Sequence, residues 1–139
     1  MREVPNDRGV FRLEIQVMPA DIDAQYHVNN VVYLRWVQEV ALAHWNTMAT
    51  AEMKSRWRWV VLRHEIDYHA PAIPGDTIEA STWIDLPEGP RQKRYVSIMR
   101  CSDRKVLASA CTSWCLLDAQ SGRPKRVTAE ITALFGLKN

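Results

Sequence analysis

The stretch PADIDAQYHVNNVVYLRWVQEV, Pro19 to Val40, gathers residues able to do chemistry. Two carboxylates, Asp21 and Asp23, precede His27, which is followed by Asn29, Asn30 and an apolar run. An Asn before a helix satisfies a first-turn N–H with its side-chain oxygen. The spacing predicts a helix that starts at Asn29 or Asn30 and runs to Met48, with Val28 and Tyr33 in the positions of a hydrophobic staple. A helix N-terminus carries unpaired N–H groups and partial positive charge. Aimed at a carbonyl under attack, those groups stabilise the oxyanion. Asp23, a few residues upstream, has the chemistry of a nucleophile or a general base. The layout suits acyl transfer. The same residues also have a structural reading: Asn-Asn as a cap and Asp23 as the acceptor of an Asx-turn. His27 divides in the same way, between proton carrier or orienter of the acid and a histidine bonded to loop backbone.

The surrounding elements must hold these groups. VFRLEIQVM (10–18) alternates, with Phe11, Leu13, Ile15 and Val17 on one side, and reads as a half-buried strand. The predicted helix 30–48 is apolar almost all round, with a thin polar stripe of Arg35, Gln38, Glu39 and Asn46. That pattern predicts enclosure. Four strands follow. In WVVLRHEIDYHA, Val60, Leu62, His64, Ile66 and Tyr68 form one face; in TIEASTWIDL, Ile78, Ala80, Thr82, Ile84 and Leu86 point inward. RQKRYVSIMRC and KVLASACTSWCLLD complete the set, the last interior because both its faces are apolar or small. Pro74-Gly75 suits a turn, and TAEITALF a short last helix. Strand, long helix, then four strands on short turns is an α+β order. An antiparallel five-stranded sheet curled around a central helix satisfies it; a parallel doubly wound sheet lacks its crossover helices.

With 139 residues, the chain fits a single domain, 1–139. A formal net charge of +2 is too weak to argue for nucleic acid or an anionic membrane. No run has the ~18 apolar residues of a membrane span, and MREVPNDRGV has no apolar leader core. Cys111 and Cys115 sit four apart on one predicted strand face, roughly 13 Å apart, too far for a disulfide. The expectation is a reduced, cytoplasmic protein. His64 falls on an apolar strand face, as a core histidine would, and His69 faces the other way. No other cluster has ligand spacing, so no metal is expected.

DIDAQYHVNNVVYLRW resembles the signature of the hotdog-fold thioesterases, in particular the 4-hydroxybenzoyl-CoA thioesterase and acyl-CoA thioester hydrolase group. It is also similar to the acyl-ACP thioesterases. IDYHAPAIPGDTIEA resembles the second landmark of that family, a strand ending in a proline-containing turn with Gly-Asp opening the next strand. The resemblance covers nearly the whole chain and implies a hotdog fold that hydrolyses an acyl thioester of CoA or acyl carrier protein. Coenzyme A is then part of the substrate, and no separate cofactor is implied. Residue by residue, it implies Asp23 as the catalytic carboxylate, Asn30 as the residue whose backbone N–H meets the thioester oxygen, and His27 as the histidine used in the acyl-ACP branch. Asn29, Tyr26 and Tyr33 fall at the substrate. Tyr26 stands where many CoA thioesterases have Gly, and Gln25 where the acyl-ACP branch has Asn. That branch's Glu-Cys pair has no counterpart near Pro71-Ala72, so the Asp-centred site is preferred. Family members assemble as dimers or dimers of dimers, so self-association is expected as well.

Rival assignments remain open. Another hotdog subclass uses a carboxylate about two turns into the helix, where Glu39 lies. Arg91, Lys93 and Arg94 form either a solvated face or a patch for the CoA phosphates. Trp57 and Trp59 line an acyl channel or fill core. Hydratases of the same fold space Asp and His by four residues; Asp23 and His27 have three between them, a poor fit. A non-catalytic acyl-thioester-binding protein is the other alternative, and thiol release separates it from an enzyme.

Overall fold

Helix α1 (Asn30–Met48) begins where Asn29 caps it. The Asn29 side-chain oxygen accepts the Val31 N–H at 3.1 Å, a contact of about 1 kcal/mol. The computed structural model describes residues 9–136, and the N-terminal stretch read above for a leader lies outside the described residues up to 8. Five antiparallel strands, β1 (Phe11–Gln16), β2 (Trp57–Tyr68), β3 (Thr77–Ile84), β4 (Arg91–Arg100) and β5 (Val106–Asp118), form one sheet in the order β1-β3-β4-β5-β2. As the sequence pattern requires, β5 is an interior strand. Helix α3 (Ala129–Leu134) closes the described chain. Helix α2 (Ala51–Arg56), capped by the Thr50 hydroxyl, was not foreseen; six residues carry too little periodicity to stand out. No helix among the described residues is long and apolar enough to cross a membrane.

The core forms where α1 meets the sheet. Trp36, Val37 and Val40 pack with Ile78 and Ala80 of β3 and with Val96 and Ile98 of β4. Strand β3 buries Ile78, Ala80, Thr82 and Ile84 as expected, but Ser81 and Trp83 on its other face are buried too, and Leu86 lies beyond the strand end and is exposed. Strand β2 departs from its expected pattern. Its register shifts between Val61 and Arg63, leaving Leu62 as the extra residue of a bulge. A bulge reverses the phase of alternation. Trp57, Trp59 and Val61 therefore share the helix side with His64, Ile66 and Tyr68, opposite Asp118, Leu116, Trp114, Thr112, Ala110 and Ala108 on β5. The predicted face of Val60, Leu62, His64, Ile66 and Tyr68 is corrected accordingly, and Leu62 is exposed.

The expected enclosure of α1 is met on one side within the chain. Trp36, Val37, Val40, Ala41, His44 and Trp45 are buried, whereas Val31 and Leu42 are exposed together with Arg35, Gln38, Glu39 and Asn46. One sheet covers one side of a helix, so within a single chain the other side is open.

The β2–β3 connection fixes the start of α1. Ala72 is fully buried. Its N–H donates to the Tyr33 hydroxyl at 2.7 Å, and its carbonyl accepts the Val28 N–H at 2.9 Å. Arg100, at the end of β4, donates to Asp76 at 2.9 Å and to the Pro71 carbonyl at 2.8 Å. Burial raises the Tyr33 pKa, partly opposed by the Ala72 N–H bond, so the hydroxyl stays neutral. Tyr33→Phe removes the only acceptor of a buried N–H. Denaturant titration should find it about 1–3 kcal/mol less stable than the parent chain, and a loss well below that range would mean that the hydroxyl does not hold the connection.

Candidate active site

Asp21 and Asp23 have separate jobs. Asp21 ends a 3-10 turn, Pro19–Asp21, and is buried. One carboxylate oxygen accepts the Met18 N–H at 2.9 Å, the other meets Arg35 Nη2 at 2.9 Å, and the Asp21 carbonyl accepts the Asn29 N–H at 2.9 Å. The carboxylate in turn raises the Arg35 pKa. A buried acid that is paired on both oxygens is a fastener between loop and helix.

Asp23 heads the turn that leads into α1. Ile22 and Val28 bridge across its base. The Asp23 N–H donates to the His27 carbonyl at 2.8 Å, and the Tyr26 N–H to the Asp23 carbonyl at 3.0 Å. Oδ1 of Asp23 accepts the N–H groups of Gln25 at 2.9 Å and His27 at 3.3 Å. That is the Asx-turn of the structural reading. It occupies one oxygen only: Oδ2 makes no hydrogen bond among the described residues. Asp23 is half-buried, and His27 is exposed with no side-chain hydrogen bond among the described residues. Tyr26 has φ +67, a left-handed conformation that favours glycine. The Tyr26 side chain is turned outward and lines a cleft of about 410 Å³ with Val17, Met18, Pro19, Ile22, Pro74 and Gly75.

At the start of the helix, the Val31 N–H goes to the Asn29 side chain and the Val32 N–H to the Asn29 carbonyl at 2.9 Å. The Asn30 N–H has no partner among the described residues. The Asn30 carbonyl accepts the Tyr68 hydroxyl at 3.1 Å, and the Tyr68 ring packs edge-on to Tyr33. The first turn is therefore pinned on both sides of one open donor, and Asp23 carries one open acceptor.

Other sequence candidates fall elsewhere. The Asn29 side-chain oxygen is used as a cap. Tyr33, expected at the substrate, is a buried post whose hydroxyl is taken by Ala72. Glu39 is exposed and paired with Arg35 at 3.3 Å. His64 is half-buried, its Nδ1 2.8 Å from Thr112 Oγ1, and burial lowers its pKa. His69, on the other face, meets Ser109 at 3.1 Å. The basic cluster does not hold together. Strand alternation leaves Arg91 and Lys93 exposed and turns Arg94 inward, so Arg94 is no part of a surface patch. Within one chain Arg91 and Lys93 also lie at the opposite end of β4 from Arg100, which braces the Asp23 region. No group of three His, Cys, Asp or Glu that could hold a metal occurs among the described residues.

The sequence reading missed a second cavity, of about 290 Å³, beside the C-terminal half of α1. Trp45, Trp57, Trp59, Trp114, Ile84 and Phe135 supply its apolar wall, so the two tryptophans at the start of β2 line it, and Arg94 and Gln92 are buried within it. Arg94 Nη1 donates to His44 Nδ1 at 2.9 Å and to Thr82 Oγ1 at 3.0 Å, and the guanidinium lies over the Phe135 ring. Burial and the adjacent cation lower the His44 pKa to about 3, so the ring is neutral and free to accept. Burial lowers the Arg94 pKa to about 9, which leaves it charged at neutral pH. Strict alternation through RQKRYV held this signal: Gln92 and Arg94 fall in phase with buried Val96 and Ile98.

The thioesterase-like superfamily model matches residues 17–135. The chain belongs to that superfamily. Its fold is the hotdog fold of thioesterases. It is 20% identical to 1,4-dihydroxy-2-naphthoyl-CoA thioesterase from Synechocystis, with a TM-score of 0.79 over 91% of this chain and 96% of that one. Against the 12:0-ACP thioesterase of Umbellularia californica the TM-score is 0.78 at 20% identity, over 94% of this chain and 52% of that one. A chloroplastic acyl-[acyl-carrier-protein] hydrolase of Cuphea viscosissima is 24% identical over 137 residues, 92% of this chain and 33% of its own length. The chain thus spans about a third of the length of the curated relatives that it matches.

Proposed function

We propose that the protein hydrolyses an acyl-CoA thioester to the free acid and the thiol. The observation that carries this reading is the pairing of an open acceptor on Asp23 with the open Asn30 N–H at the start of α1. Asp23 attacks the thioester carbonyl or takes a proton from the attacking water. The Asn30 N–H donates to the oxygen as negative charge develops there. His27, in the same turn and open to solvent, supplies a proton to the departing thiolate. Arg91 and Lys93 suit the phosphates of coenzyme A. Acyl carrier protein is the second reading, favoured by the names of the curated relatives. Gln25 and the missing Glu-Cys pair weigh against it. We place the protein in the cytoplasm on the spacing of its cysteines.

Asp23→Asn keeps shape and removes charge, and a thiol-release assay over a panel of acyl-CoA and acyl-ACP substrates should find turnover at least about a hundredfold lower. Near-normal turnover in the folded variant would pass the role to Glu39. Asn30→Ala keeps the backbone donor and Asn30→Pro deletes it. The Ala variant should retain clearly more activity; equal activities would remove the N–H from the mechanism.

We further propose that the working unit is at least a dimer, as dimer or tetramer. The open side of α1 with Val31 and Leu42 and the edge strand β2 with exposed Leu62 support this, because an uncovered edge invites pairing. A two-fold pairing along β2 sets the two α1 helices antiparallel and brings each Asp23 turn toward the cavity and basic strand end of the second copy. Light scattering at micromolar concentration should give at least twice the chain mass. A monomer with full activity would refute the pairing.

A further inference from the structure

The cavity beside the C-terminal half of α1 has an unusual balance of charge. Among the described residues its charged lining is Lys54, Arg58 and Arg94, and no carboxylate lines it. Lys54 and Arg58 are exposed at its mouth, whereas Arg94 is buried. A buried cation is costly unless an anion faces it. Arg94 receives two neutral acceptors, His44 and Thr82, through Nη1, and a ring face from Phe135. Its Nε and Nη2 donors are not hydrogen-bonded, and no carboxylate pairs with it among the described residues. A second donor behaves alike: Trp114 Nε1 is buried without an acceptor, and Trp114 lines the same cavity. By contrast, the exposed Arg35 and the half-buried Arg100 both have carboxylate partners at 2.9 Å.

We propose that this cavity binds an organic carboxylate with an apolar body, the carboxylate on Arg94 and the body among Trp45, Trp57, Trp59 and Phe135. A planar guanidinium with its Nε–Nη2 edge open matches a carboxylate in bidentate fashion. One buried cation balances one negative charge. At about 290 Å³ the cavity lies at the small end of ligand pockets, with room for a medium-length chain or an aromatic acid but not for a whole nucleotide. The carboxylate has two sources: the distal end of a substrate's acyl group, or the acid released by hydrolysis. Binding itself does not rest on the thioesterase reading; only the assignment of the source does.

Tryptophan fluorescence reads the site directly, because four tryptophans line it. The full chain is titrated with decanoate and with 1-decanol. Decanoate should bind saturably and about tenfold or more tighter than the alcohol, the scale of a charge-assisted hydrogen bond. Arg94→Met should abolish that preference, and Arg63→Met, an exposed cation on β2, should keep it. Equal binding of acid and alcohol, or no saturable decanoate binding, overturns the proposal, and this holds on the unmutated protein even where Arg94→Met does not fold. Thiol release from ω-carboxydecanoyl-CoA against decanoyl-CoA then assigns the source. A faster rate with the ω-carboxyl substrate that disappears in Arg94→Met assigns the acyl end. Equal rates assign the released acid. Release from neither substrate overturns the thioester reading, while saturable decanoate binding still supports the site.

Discussion

The two backbone bonds of Ala72 decide where the start of α1 sits. A buried N–H on the Tyr33 hydroxyl and a carbonyl on the Val28 N–H tie the β2–β3 connection to both sides of the start of α1. Neither group can reach water, so losing either partner costs far more than the bond gains. Asp21 and Arg35 fasten the preceding turn to the same helix, and Arg100 braces the connection from β4. The first turn is thereby held without using the Asn30 N–H. A donor fixed before the reaction needs no reorganisation when charge appears, which is where such groups gain their effect.

Polar groups at the two ends of α1 are treated in opposite ways. At the N-terminal end Asp21 is paired with Arg35 and Asp76 with Arg100, and Asp23 has backbone donors on one oxygen. At the C-terminal end Arg94 is buried against neutral partners. A protein that matches its charges at one end and leaves one unmatched at the other leaves a demand there, and an apolar cavity open beside it gives that demand a place to be met.

Much of this was legible in the sequence. The limits of α1 followed from Asn29 and the change from period 2 to period 3.6, and the faces of β1 and β3 from alternation. The turn before α1 was legible from Asp23 and the capping residues, and spacing alone favoured a structural Asx-turn; the structure has that turn and leaves Oδ2 over. Three features were hidden for physical reasons. The bulge at Leu62 changes phase inside a run of β-branched and apolar residues that reads the same either way. The burial of Tyr33 depends on a connection almost forty residues downstream, which local pattern does not carry. Arg94 was read with its neighbours in sequence, whereas on a strand adjacent residues face apart. The open side of α1 was legible too, because one sheet covers only one side of a helix that is apolar nearly all round.

The central claim is that the Asn30 N–H receives the thioester oxygen. An acyl-CoA ketone analogue, with a methylene in place of the thioester sulfur, keeps that carbonyl and cannot be hydrolysed. The amide proton of Asn30, followed by NMR as the analogue is titrated, measures the contact itself. A saturable downfield shift of Asn30, larger than those of Val31 and Val32, whose N–H groups are already bonded, is the predicted result. An Asn30 amide that stays in place while other residues of the site respond would contradict the account.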